Sequence, residues 1–234
     1  LNQPLTANSG LEFSIQNHTD GPLSFGLFFL SGRMTGEENT VDKHSNFRAS
    51  VFSQSLRVRY ELVSKKRSDQ VLFPYVTAGV EYISFRSKTD LFDANGNFYY
   101  YWNDGSVRNA PESGNNSGSP ATRRDYSYET SLRDANIDGF GKYKESAIGV
   151  PVGAGVRFKI GNKCSLDFSS ILHTTNTDYI DGITPEGIEG RQGNDKKDKF
   201  FFTSIAFRFD FGAERDRKNS RYNYVPDVRG VNFE

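Results

Sequence analysis

The chain has 234 residues, only 35% of them hydrophobic, and its 29 basic residues balance 29 acidic ones to a formal net charge of zero. No apolar run approaches the roughly 20 residues that a membrane helix needs, and no basic stripe offers a footprint for nucleic acid. A single cysteine, Cys164, excludes an intrachain disulfide framework and a cysteine-rich zinc site.

The opening LNQPLTANSG has neither a basic n-region nor an apolar h-region, so any export signal is expected to be gone already. From residue 9 a period-two pattern sets in, as in an extended strand with one apolar and one polar face. In 9–17, Leu11, Phe13 and Ile15 alternate with Gly10, Glu12, Ser14 and Gln16. In 22–33, Leu23, Phe25, Leu27 and Phe29 share a face, with Phe28 and Leu30 on the other. Segment 47–62 begins with Phe47, Ala49 and Val51 on the odd face and ends with Leu56, Val58, Tyr60 and Leu62 on the even face. That change of phase predicts a β-bulge near Ser53 to Ser55. Segment 72–83 sets Leu72, Val76, Ala78, Val80 and Tyr82 against Thr77, Gly79 and Glu81.

The stretch IGVPVGAGVRFKI (148–160) puts Ile148, Val150, Val152, Ala154, Val156, Phe158 and Ile160 on one face. Gly149, Pro151, Gly153, Gly155, Arg157 and Lys159 occupy the other. Segment 164–174 follows with Leu166, Phe168 and Leu172 against Asp167, Ser169 and His173. The last, 199–211, sets Phe201, Ile205, Phe207, Phe209 and Phe211 against Ser204, Ala206, Arg208 and Asp210. Seven strands result, and no long helix.

The connections alternate: short around 17–21, long at 35–46, short around 65–70, very long at 88–143, a turn at 161–163, and long at 176–198. Short turns at one end and long loops at the other are the habit of a bacterial outer-membrane barrel, with the turns periplasmic and the loops extracellular. Strand lengths near 9–11 residues agree with a tilted crossing. The polar faces gather Glu12, Arg57, Arg59, Glu61, Glu81, Arg157, Lys159, Asp167, Arg208 and Asp210, five acids and five bases. Turned into a narrow lumen such charges can pair, as they must where water is scarce. The expected fold is therefore an all-β, antiparallel, transmembrane up-and-down barrel over 9–211, its apolar face toward lipid. Arginine at Val152 or Val156 should then cost roughly 2–4 kcal/mol, and much less at Gly153 if the lumen tolerates the bulk.

Ser204-x-Ala206-x-x-Phe209-x-Phe211 resembles the C-terminal β-signal of outer-membrane barrels, with Ala206 where that signal usually has glycine. Three further stretches, LFPYVTAGVEYISF (72–85), IGVPVGAGVRF (148–158) and TTNTDYIDGI (174–183), resemble outer-membrane barrels of the Bacteroidota. That family includes OmpA-like barrel halves and the PorG-type barrel of the type IX secretion apparatus. The likeness spans about residues 45 to 211; the 88–143 insert and the tail after Phe211 depart from the shorter PorG-type members. It implies a structural or adaptor component of the cell envelope, either a secretion-associated scaffold or an OmpA-like tether, with the outer-membrane bilayer and an envelope protein as partners.

Some such barrels are enzymes. The histidines are His18 in a short turn, His44 in a polar loop, and His173 on a polar face. Ser169 shares that face with His173 but lies about 13 Å away along the strand, beyond the reach of a base. A catalytic cluster cannot be assembled, so an enzyme of the lipid A deacylase or protease type is not the preferred reading, and a charge-filled eight-stranded lumen disfavours a small channel. No cofactor or metal is expected. DANGN and RDANIDG lack the acidic spacing of an EF-hand and read more readily as turn formers. The cluster Phe98, Tyr99, Tyr100, Tyr101 and Trp102 could bind a glycan or a partner protein, or pack the loop onto itself, and the second reading is preferred.

Residues 212–234 are expected to form a periplasmic tail or linker that could dock envelope machinery. Counting back from a final strand that ends in the periplasm, 9–17 runs downward and would have to start outside the cell. Bacterial barrels of this type have even strand numbers. An eighth, upward strand is therefore expected before Leu1, with 1–8 the remnant of an extracellular loop and, between 9–17 and 199–211, a strand-wide gap or a strand from another chain filling it.

Overall fold

In the computed structural model, described for residues 8–19, 21–39, 44–63, 70–137, 139, 141–161, 163–187, 193 and 195–211, the chain is all-β. The long strands are β1 (Ser9–His18), β2 (Leu23–Asn39), β3 (His44–Glu61) and β4 (Leu72–Thr89), then, after an insert, β8 (Ser146–Lys159), β9 (Cys164–Thr175) and β10 (Lys199–Phe209). Within the insert lie β5 (Tyr100–Tyr101), β6 (Val107–Arg108), β7 (Thr130–Ser131) and the single-turn helix α1 (Leu132–Ala135). The seven long strands form one antiparallel sheet in the order β1-β2-β3-β4-β8-β9-β10, a nearly closed barrel-like meander. The expected tail, most of the expected 1–8 remnant and the middle of the β3–β4 turn lie outside the described residues.

The register is continuous, so each strand keeps one face inward. From Ala49 to Glu61 every odd residue of β3 is buried and every even one exposed, and its pairing with β2 and β4 runs without an extra residue. The bulge expected near Ser53 to Ser55 is absent. What changes midway is the character of the inside. Toward the end that carries the insert, the cap end, the interior is an ordinary apolar core of Ala49, Val51, Ile83, Phe85, Ala147 and Ile180. Toward the opposite, turn end the same row becomes Ser53, Ser55, Arg57, Arg59 and Glu61, all buried. Outside the order is reversed: polar Ser50, Arg86 and Lys88 at the cap end, then apolar Leu56, Val58, Val76 and Val80 below.

A second difference has the same cause. The polar stretch 35–46, expected to be a loop, is largely strand: Thr35 pairs with Arg48, Glu37 with Asn46 and Asn39 with His44. Above the apolar band neither face has to be apolar, so the alternation fades while the backbone ladder continues. Only residues 40–43 separate β2 from β3, against 62–71 between β3 and β4, so short and long connections do not strictly alternate. The two long ones, between β4 and β8 and between β9 and β10, do share the cap end.

Seven antiparallel strands leave β1 and β10 pointing the same way, and no ladder joins them. Their outward side chains are the most exposed of the apolar belt, Phe13 at 65%, Ile205 at 71% and Phe207 at 67%, against 36% for Val156 in mid-sheet. Chain entry to β1 is at the cap end, where the Thr35 amide donates to Asn8 Oδ1 at 2.8 Å.

Candidate functional site: the lumen and its cap

The inner face of β8 is built from small residues, and that decides what its neighbours can do. A Cβ at Gly155 would lie 2.4 Å from the Tyr75 ring, and one at Gly149 2.7 Å from Glu81 Oε1. Both glycines let side chains of β4 cross over β8 to β9. Tyr75 thereby donates its hydroxyl to Asp167, and Glu81 reaches His173 Nδ1 at 2.8 Å. Gly153 has no spare room either: a Cβ there would meet Ser170 O at 2.3 Å, so this lumen position does not tolerate bulk.

The expected polar-face charges meet as pairs between strands. Arg57 binds Glu12 at 2.9 Å, Arg59 binds Asp167 at 2.6 Å, and Arg157 binds Glu61 at 2.7 Å. Each guanidinium also covers an aromatic ring: Arg57 over Phe28 at 4.4 Å, Arg59 over Tyr75 at 3.7 Å, Arg157 over Phe73 at 4.8 Å. The planar guanidinium suits both contacts, donating in its plane and stacking across it. Of the other four, Glu81 meets His173 and Arg208 meets only Asp210, two residues on, among the described carboxylates. Lys159 is exposed at the end of β8, and Asp210, bound to Arg208 Nε at 3.2 Å, is 45% exposed.

His173 is fully buried, stacked on Phe200 with ring centroids 4.5 Å apart. Its hydrogen-bond partner is Glu81, whose Oε2 also accepts from Ser53 Oγ at 2.7 Å. Sequence reasoning missed this trio because its members lie on three different strands. Glycine at 149, on the strand between β4 and β9, was the available signal. The arrangement holds an imidazole but does not activate a nucleophile. The Ser53 hydroxyl is bound to the carboxylate, while Nε2 has no hydrogen-bond partner among the described residues and is shut away from the surface. The side chains of His18 and His44 lie outside the described residues.

The β4–β8 insert folds over the cap end. Arg124 anchors it, binding Asp90 through Nε at 2.9 Å and Glu37 of β2 through Nη1 at 2.8 Å. Burial pushes the Asp90 carboxyl up, against the opposing pull of Arg124. Of the aromatic cluster, Tyr99 and Trp102 are buried, Trp102 Nε1 donating to Ala110 O at 2.8 Å with Arg108 over the ring at 4.0 Å. Tyr101 and Tyr100 are half-buried; Phe98, 40% exposed, packs edge-on against Phe92 and Tyr100. The rings chiefly pack the loop onto itself. In DANGN, Asp93 Oδ1 accepts from the amides of Asn95 and Asn97 at 2.9 and 2.8 Å. The Asn97 side chain and backbone hold the Asp93 carboxyl below its ordinary range. The stretch is a turn.

The β9–β10 loop supplies a plug. Ile180 enters the apolar core; its carbonyl accepts from Ser87 Oγ and its amide donates to Asp198 Oδ2 at 2.7 Å. Burial, then the nearby Asp181, push the Asp198 carboxyl up to about 7.

The four insertion-signal residues split by face. Ser204 points inward, sharing a 3.0 Å hydrogen bond with Ser169, and Ala206 follows on the same row. Phe209 and Phe211 point outward, edge to face at 4.9 Å, with Phe211 just past the end of β10. No family model matches the chain, and no curated protein or solved structure matches it either.

Proposed function

We propose that the protein is an outer-membrane β-barrel with a non-enzymatic structural or adaptor role, its cap end extracellular and its turn end periplasmic. The observation that carries the reading is the reversal of inside and outside along single strands. Below the cap, the outward row of Leu11, Phe13, Leu27, Leu56, Val80, Val152, Phe168 and Ile205 is exposed, while the inward row holds charged pairs. A soluble barrel has no reason to bury its arginines and expose its phenylalanines. A strand crossing lipid does. The adaptor role is supported by a lumen filled with side chains, which leaves the cap and the tail as working surfaces. The resemblance to OmpA-like and PorG-type barrels makes a cell-wall tether or a secretion scaffold the concrete forms.

Closure belongs to the same reading. β1 and β10 run in one direction and, among the described residues, nothing pairs with their outer edges, so a single antiparallel strand between them would give eight. Unpaired backbone groups in hydrocarbon cost several kcal/mol each, which favours that closure.

Depth-dependent quenching tests the membrane reading. The lone Trp102 lies in the cap. In vesicles with brominated acyl chains its fluorescence should stay unquenched, while a Val152→Trp variant is strongly quenched. An unquenched Trp at position 152 in a protein that stays folded without lipid would overturn the reading. Cross-linking in mild detergent extracts, followed by identification of the captured envelope protein, tests the adaptor role.

A further inference from the structure

Two contacts cross the seam, and they share one spacing. A Cβ at Gly10 on β1 would lie 3.1 Å from Phe202 Cε2 on β10, and Arg208 Nη1 lies 3.4 Å from Gln16 Oε1. Both pairs are 192 positions apart, so the two edges keep a constant register and the seam is uniform between these levels. Lumen-facing rows alternate in step along it: Gly10 with Phe202, Glu12 with Ser204, Ser14 with Ala206, Gln16 with Arg208.

Arg208 is the odd member of the lumen set. Arg57, Arg59 and Arg157 each reach a carboxylate on another strand, and each of those carboxylates is at most 14% exposed. Among the described residues Arg208, itself only 10% exposed, has only the half-exposed Asp210, just past the end of its own strand, and a stretched contact to neutral Gln16. Its like-charged neighbours Arg59 and Arg157 are within electrostatic reach. A buried cation needs a close, enclosed carboxylate, and Arg208 Nη1 reaches across the seam toward β1. At the other level, Phe202 already fills the space in front of Gly10.

We infer that the strand closing the seam carries an aspartate or glutamate on its lumen face at the level of Arg208 and glycine, alanine or serine at the level of Phe202. This rests on the eight-strand reading above. Because that strand runs from the turn end to the cap end, its sequence reads acid at position i and small residue at i+6, with apolar residues facing lipid at i+1, i+3 and i+5.

The test joins an 11-residue strand of this pattern to the natural chain ahead of Leu1 through a short loop. Each protein is folded into phosphatidylcholine vesicles, and the folded fraction is read from the gel shift on heating and from urea midpoints. With glutamate at i, the folded-to-unfolded ratio should exceed that with lysine by about tenfold or more, with glutamine between. Arg208→Glu should reverse the order; if that variant does not fold, Arg208→Gln should erase it. Leucine at i+6 should fold worse than glycine, and Phe202→Ala should relieve the difference. Equal closure by glutamate, glutamine and lysine would overturn the assignment and leave the eighth strand standing. No gain over the bare chain from any of the strands would overturn the eighth strand itself, and the assignment with it.

Discussion

Single residues in the lumen gain their importance from burial. Arg59 and Asp167 lie 2.6 Å apart, each under a tenth exposed, and Asp167 also accepts from Tyr75. Removing one partner strands the other charge, so Asp167→Ala should cost about 3–5 kcal/mol in urea titrations in vesicles. Replacing Arg59 and Asp167 together by methionine and leucine should recover most of that loss, because the desolvation of both ions disappears with them. Equal losses for the single and double variants would mean that the pair acts through shape rather than charge. At the cap, Asp198 gives a pH dependence of definite sign. Its carboxyl titrates near 7 when folded, above the 3.8 of an ordinary aspartate. The folded state therefore holds the proton more tightly. Its contribution is complete below pH about 4 and is lost as pH rises through about 7. Hydrogen exchange at the Ile180 amide, which Asp198 accepts, should accelerate across that window beyond the ordinary base-catalysed rise, and Asp198→Asn should flatten the excess.

At the scale of the strand, position relative to the apolar belt decides what a substitution costs. Val152 faces outward in mid-belt, so Val152→Arg should cost roughly 2–4 kcal/mol, whereas Ser50→Arg, outward but near the cap, should cost little. Gly153→Ala should also destabilise, because the new Cβ meets Ser170 O and Ile171 Cα at 2.3 and 2.8 Å. Similar folding midpoints for all three variants would show that the belt is misplaced. The belt also explains what was legible in the sequence. Where a strand separates an apolar outside from a polar inside, as β8 does, its faces could be read directly, and its glycines marked the crossings beneath Tyr75 and Glu81. In β3 the inside turns apolar as the outside turns polar, and alternation alone took that exchange for a bulge. In 35–39 and 44–46 neither face is apolar, so a continuing ladder looked like a loop. The Glu81–His173 pair was hidden for another reason: it depends on the register of three strands, which no local window contains.

For the whole molecule, the lumen and cap together argue against permeation. On the eight-strand reading proposed above, the barrel's interior is only wide enough for its own side chains to fill. Here Arg57, Arg59, Arg157, Tyr75, Glu81 and His173 occupy the lower half, and the core around Ile83, Phe85 and Ile180 closes the upper. Above both, the insert is tied by Arg124 to Asp90 and Glu37. An ion entering from either end would have to displace buried, mutually compensated charges and then pass an apolar constriction. With the closing strand present, planar-bilayer recordings should therefore show little or no steady conductance, and a large, stable open channel would rule the plug out. Trimming the insert between Phe92 and Ser127 separates the two barriers, because those residues lie outside the barrel strands. If the lumen is the seal, the trimmed protein should stay silent. Replacing Arg59, Asp167, Arg157 and Glu61 together by serine and alanine should admit ions only if the apolar core is opened as well, for instance by Phe85→Ala and Ile180→Ala. Conductance appearing on trimming alone would transfer the seal to the cap, making the insert a gate rather than a display surface.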